Sequence, residues 1–82
     1  MYYTYILKSL KDGTHYIGST SDLRQRIIKH NSKSVKYSST KAPFKLIWYA
    51  AFSTKKLSID FEMYLKSSSG FAFRNKRLIE IA

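Results

Sequence analysis

The chain has 82 residues, room for one hydrophobic core and not two. Fifteen Lys and Arg against five Asp and Glu give a formal net charge of +10, while a 44% hydrophobic content with seven Tyr, five Phe and one Trp supplies a core and argues against a disordered tail. The absence of cysteine excludes disulfides and thiolate metal sites, two histidines are too few for a histidine-built zinc site, and no apolar run approaches the ~20 residues of a membrane span.

Residues 2–9, rich in aromatic and β-branched side chains, predict a strand. Asp12-Gly13 is a hairpin-turn signal, and His15-Tyr16-Ile17-Gly18-Ser19 reads as the returning antiparallel strand. A helix begins at Ser21-Asp22, either of which can cap free backbone N–H groups. Leu23, Ile27 and Ile28 form its apolar face, and it should end near His30-Asn31. Residues 31–42 are a polar loop closed by Pro43. Phe44 to Phe52 is the most apolar stretch and has the length and residue types of a buried central strand. Ser53 or Thr54 can cap a second helix supported by Leu57, Ile59, Phe61, Tyr64 and Leu65. Ser67-Ser68-Ser69-Gly70 reads as a breaker, and a last short helix over about 71–80 buries Phe71, Phe73, Leu78 and Ile79. The expected architecture is a single α+β domain: a small three-stranded antiparallel sheet flanked by about three helices.

The charge points to a polyanionic partner. A pI near 10.0 exceeds the value of about 9 that flags nucleic-acid binding, and such a field supplies affinity by counterion release. No basic amphipathic helix with a bulky apolar face favours a lipid surface instead. The N-terminal residues lack a basic leader and cleavage site, so a cytoplasmic protein, nucleoid-associated if DNA-bound, is the expectation. Any metal must be held by oxygen ligands, which favours Mg²⁺ or Mn²⁺.

Tyr16-Ile17-Gly18 sets a phenol beside backbone that carries no side chain, allowing close approach of a phosphate or sharp strand curvature. Alone it is an ordinary strand sequence. The strand end feeds directly into the helix, however, so Tyr16, Arg26 and His30 can converge. Arg26 and His30 are four residues apart and share a helical face. A planar guanidinium grips a phosphate at two points. The bland alternatives are a solvated face for Arg26 and a C-terminal cap or buried partner for His30.

The segments Thr4 to Ser9 and Tyr16 to Asn31, with the later run Glu62 to Gly70, resemble the GIY-YIG nuclease family, in order and across nearly the whole chain. The likeness is to small stand-alone bacterial members related to the catalytic module of the nucleotide-excision repair nuclease. It implies hydrolysis of a phosphodiester with one divalent ion, Mg²⁺ or Mn²⁺. It implies roles by position: Tyr5 and Tyr16 are the tyrosines of the two motifs, Arg26 holds the scissile phosphate, His30 stands where some members keep a catalytic-site His or Tyr, and Glu62 is the metal-ligating carboxylate. Glu62 also lies four residues before Lys66, the spacing of a helix-surface ion pair.

These residue types suit the chemistry. Phosphodiester cleavage needs an activated water, a Lewis acid and positive charge for the transition state. Tyr16 or Tyr5 would orient or deprotonate the water, and a phenol near pKa ~10 needs a neighbouring cation to act as base at neutral pH. Three departures from the family pattern stand out: Tyr3-Thr4-Tyr5 replaces Gly-Ile-Tyr, Phe61 stands where relatives often carry Arg, and Ala50-Ala51 where acidic residues are common. Asn75 could serve as the late polar residue of larger members, the alternative being a position on a solvated helix face. The polar loop, with Lys33, Lys36, Tyr37 and Lys41, and the helix residues Arg24 and Lys29 are candidate nucleic-acid contacts. The reading is a metal-dependent DNA endonuclease for branched or damaged substrates in repair or recombination, with RNA admitted as a partner and a partner protein or homodimer supplying targeting. The alternatives are a binding module of the same fold without turnover and a small basic ribosome-associated protein.

Overall fold

The computed structural model describes residues 1–32 and 41–79. Its elements are β1 (Tyr2–Ser9), β2 (His15–Thr20), α1 (Leu23–Asn31), β3 (Phe44–Phe52), α2 (Lys55–Lys66) and α3 (Ser68–Arg77). The three strands form one antiparallel sheet in the order β2-β1-β3, so the expected α+β architecture is present.

The β1–β2 hairpin closes on Asp12-Gly13. Gly13 takes the positive φ of 77° that a side chain would strain, and Asp12 Oδ1 accepts from the Thr14 N–H at 2.9 Å. Asp22 caps α1 by accepting from Gln25 N at 3.0 Å, and Thr54 caps α2 by accepting from Leu57 N at 3.2 Å.

Alternation along β1 divides the core. Tyr5 and Leu7 face α1 and pack with Phe44, Tyr16, Leu23 and Ile27. Ile6 faces the other way and packs with Leu65, Ile79, Trp48 and Phe61 under α2 and α3. Helices on both faces explain why β1 is the most buried strand, with Thr4 through Leu7 all at 0% exposure.

Four expectations change. The apolar run Phe44–Phe52 is an edge strand, not the central one. Among the described residues it pairs only with β1, and Tyr49 is exposed; its hydrophobicity serves cross-strand and helix packing. Ser67 to Gly70 does not break the chain but starts α3. Ser67 ends α2 and caps α3, its hydroxyl accepting from Gly70 N at 3.2 Å. Gly70 is required because a Cβ there would collide with the Tyr64 carbonyl. Phe71 and Phe73 are exposed, Phe71 lying beneath the Arg74 guanidinium at 4.5 Å, and the buried Ile79 lies beyond the helix end. Ile28, expected on the buried face of α1, is also exposed.

Candidate active site

Tyr5 anchors the site from the central strand. Its cross-strand partner is Gly18, and the phenol fills the space that glycine leaves: a Cβ at Gly18 would stand 2.5 Å from the Tyr5 hydroxyl oxygen and 2.8 Å from Cζ. The glycine of Tyr16-Ile17-Gly18 thus makes room for the tyrosine of the first segment. Burial pushes the Tyr5 pKa up to about 12; Arg26 opposes this, and the nearby Tyr16 and Glu62 reinforce it. Tyr5 is therefore a neutral phenol at physiological pH, with Arg26, Tyr16 and Glu62 all within its electrostatic reach.

Helix α1 brings His30 beneath the two tyrosines. His30 is fully buried. Its Nε2 lies 3.4 Å from Tyr5 Oη, and its ring meets the edge or face of Tyr16 at 4.7 Å and of Phe44 at 5.7 Å. Burial, and then Arg26, lower its pKa from the ordinary 6.5, so the imidazole is neutral at pH 7. In the Nδ1–H tautomer the Tyr5 phenol donates to Nε2. His30 has no surface with which to touch a substrate; its geometry is that of a residue setting the two phenols.

Glu62 comes from the opposite face of the sheet. Its side chain is 19% exposed and both oxygens are engaged: Ser19 Oγ donates to Oε1 at 2.7 Å, and Lys66 Nζ donates to Oε2 at 2.7 Å. Ser19 was not singled out in the sequence. The available signal is strand alternation, which puts Ser19 on the face opposite Gly18 and toward α2. Half-buried Arg26 lines a cavity of about 390 Å³ with Ser19, Thr20, Ser21 and Lys55. On the other side, Tyr16 and Lys66 open into a cavity of about 560 Å³ that continues past His15 to Lys41 and Arg74.

Among the described residues no three His, Asp or Glu side chains cluster. A Mg²⁺-type ion commonly takes one or two carboxylates and completes its shell with water and substrate phosphate, and the Glu62 carboxylate is an oxygen donor of that type. The Lys66 ammonium already answers the demand of this carboxylate for positive charge.

The remaining candidates are scattered. Arg24 is exposed and lines a separate, largely apolar concavity with Leu23, Ile27, Ile28 and Tyr49. Lys29 is exposed in the last turn of α1. Lys41 pairs with Asp12 at 2.8 Å, and Asn75 is half-buried on α3. Lys33, Lys36 and Tyr37 lie outside the described residues. No described helix is long and apolar enough to cross a membrane.

Two of the three departures from the family pattern have structural accounts. Thr4 donates its buried hydroxyl to the Ser58 carbonyl at 2.6 Å, tying β1 to α2. Tyr3 packs edge-on against Tyr49 at 6.2 Å. Phe61 sits among Trp48, Phe52 and Tyr64, with ring centroids 5.6–5.9 Å away, as part of the core.

Residues 1–77 match the GIY-YIG catalytic domain. The chain is 37% identical over 78 residues to a UPF0213 protein of Staphylococcus saprophyticus, covering 94% of this chain and 89% of that protein. It is 42% identical over 65 residues to a UPF0213 protein of Streptococcus pneumoniae, and this match spans 78% of the chain and 65% of the streptococcal protein's length. The solution NMR structure of the UPF0213 protein BH0048 from Bacillus halodurans is similar with a TM-score of 0.55 and 35% identity, covering 95% of this chain and 87% of that one.

Proposed function

The chain belongs to the GIY-YIG family, which implies a nuclease-type function, and from that premise we propose that it is a divalent-metal-dependent endonuclease hydrolysing phosphodiester bonds in DNA, with branched or damaged duplexes as its substrate class. The observation that carries this reading is the setting of Tyr5: one phenol within electrostatic reach of Arg26 from α1, Tyr16 from β2 and Glu62 from α2.

The division of labour follows from the local chemistry. The scissile phosphate lies against Arg26, whose guanidinium offsets charge on the non-bridging oxygens as the transition state forms. Tyr5, held protonated, donates a hydrogen bond and cannot serve as base. Tyr16, beside the open cavity, orients the attacking water by a hydrogen bond to its phenol oxygen. The water oxygen bonds to phosphorus and gives up its proton to solvent in the cavity, one ester P–O bond breaks, and the departing oxygen takes up a proton from solvent. His30 positions both phenols without meeting substrate. Glu62, oriented by Ser19, would hold one Mg²⁺ or Mn²⁺. When bound, the ion supplies Lewis-acid stabilisation of the phosphate.

A second reading, a nucleic-acid-binding module without turnover, draws on one observation: Ser19 and Lys66 already engage both oxygens of Glu62. Nicking of supercoiled plasmid and branched oligonucleotides with Mg²⁺ or Mn²⁺ separates the two. Cleavage that disappears in both Glu62→Ala and Arg26→Ala, with the fold intact by circular dichroism, supports the enzyme. Wild-type protein that binds these DNAs and cuts none of them refutes it.

A further inference from the structure

The cavity of about 560 Å³ beside Tyr16 holds a group of side chains that the proposed chemistry does not use. It shares Tyr16 and Lys66 with the active site and runs along the outer edge of β2 to His15, Lys41, Phe71 and Arg74. Lys41 and Lys66 have acidic partners in Asp12 and Glu62. Arg74 has no ion pair among the described residues, and its Nε and Nη1 are buried without a hydrogen-bond partner there. His15 Nε2, in the same cavity, is likewise buried and unpartnered. Buried donors without acceptors are costly, more so when charged, and such a group persists where it has a use.

The surroundings specify the use. The guanidinium is stacked on Phe71 at 4.5 Å, which fixes its plane and leaves its donors pre-oriented. Burial, and then the positive charges of Arg74 and Lys8, hold the His15 pKa down. A guanidinium and an imidazole in one cavity, whose lining among the described residues includes no carboxylate, suit an oxyanion. Through Tyr16 the cavity is continuous with the proposed active site.

We propose that Arg74 and His15 form a second phosphate-binding subsite, which grips a phosphodiester flanking the scissile one and sets the register of the nucleic-acid strand along the β2 edge. The proposal rests on the nuclease reading for the identity of the strand.

The test uses the whole chain and fluorescein-labelled branched DNA in EDTA, read by anisotropy, so that binding is measured without turnover. Arg74→Gln weakens binding about tenfold and lowers the slope of log affinity against log salt by about 0.7–0.9, the value for one lost phosphate contact. Lys56→Gln, an equal loss of charge at a residue paired with Asp60 outside the cavity, leaves affinity unchanged. A series of DNAs with single methylphosphonates contains one flanking position that costs the wild type about tenfold and Arg74→Gln nothing. Arg74→Lys, which keeps the charge and loses the fork, recovers binding only in part. Should Arg74→Gln melt below the assay temperature, Arg74→Lys and His15→Gln carry the same comparison.

Equal affinity and salt slope for wild type and Arg74→Gln overturn the proposal. So does a loss matched by Lys56→Gln, or one spread evenly over all methylphosphonate positions. A protein that shows the Arg74-dependent position yet cuts no DNA with metal sinks the nuclease reading and keeps the subsite.

Discussion

Gly18→Ala tests whether the glycine of the second motif exists to seat the tyrosine of the first. The added methyl would stand 2.5 Å from Tyr5 Oη, 2.8 Å from Cζ and 3.2 Å from Cε2. Restoring ordinary contact requires the ring to move by about 1 Å. Tyr5 has nowhere to go: it is 0% exposed, with His30 beyond its hydroxyl and Leu7, Phe44 and Ile27 in its core cluster. Overpacking of this kind costs about 1–3 kcal/mol, and losing the Tyr5–His30 hydrogen bond adds about 1 kcal/mol. The expected destabilisation is about 2–4 kcal/mol, or a fall in melting temperature of about 10–25 °C for a domain of this size.

Chemical denaturation of a four-protein cycle measures it. Tyr5→Phe alone costs about 1 kcal/mol through the lost hydrogen bond. In the Gly18→Ala background the same change removes the most crowded atom, so it is neutral or stabilising, and the two substitutions couple by at least about 1 kcal/mol. A Gly18→Ala protein within about 0.5 kcal/mol of wild type, or additive single effects, refutes the steric account.

Thr4→Val keeps shape but leaves the Ser58 carbonyl without its buried donor, and should cost about 1–3 kcal/mol in urea unfolding; an unchanged midpoint removes Thr4 as the tie between β1 and α2. His30 stays neutral in the fold while the unfolded chain protonates near 6.5. The unfolded state thus binds more protons as pH falls, and stability should decline from pH 7 downward by at most about 1.4 kcal/mol per unit for this residue. His30→Gln should flatten that slope, and stability that rises on acidification in this range contradicts the assignment. Lys66→Ala frees Glu62 Oε2, so the Mg²⁺ concentration for half-maximal nicking should fall about twofold, the scale of a half-exposed ion pair; a rise instead means that Lys66 assists the metal or the DNA.

What the sequence made legible was local. Hairpin, caps and helix α1 follow from Asp12-Gly13, Asp22 and Thr54, whose signals depend on neighbours one to three residues away. The β-order did not: Phe44–Phe52 is more apolar than β1, yet centrality comes from helices packing on both faces of β1, a long-range fact that composition does not carry. Ser67-Ser68-Ser69-Gly70 fails as a breaker because a serine that ends one helix can cap the next. At the site, Tyr5, Tyr16, Arg26, His30 and Glu62 were visible as motif positions. Ser19 and Arg74 were not, since one is defined by a contact 43 residues away and the other by its stacking on Phe71 and its buried, unpartnered nitrogens.

The altered first motif also finds its place in this geometry. Of Tyr3, Thr4 and Tyr5, only Tyr5 reaches Gly18 and His30. Thr4 points to the opposite face and is spent on Ser58, and Tyr3 lies against Tyr49 on the β3 side. The contacts to Gly18 and His30 therefore rest on the motif's last residue, and its first two positions can change with the packing around them. The same alternation explains how residues from both faces meet. On β2, the edge strand, Tyr16 and Gly18 face α1 while His15, Ile17 and Ser19 face α2 and α3. Among the described residues no strand pairs with its outer edge, so Glu62 and Arg26 approach around it from opposite sides. Such an edge otherwise invites pairing with another chain. Here it is bordered by Lys66 and Arg74, and that positive border suits a polyanion better than a fourth strand.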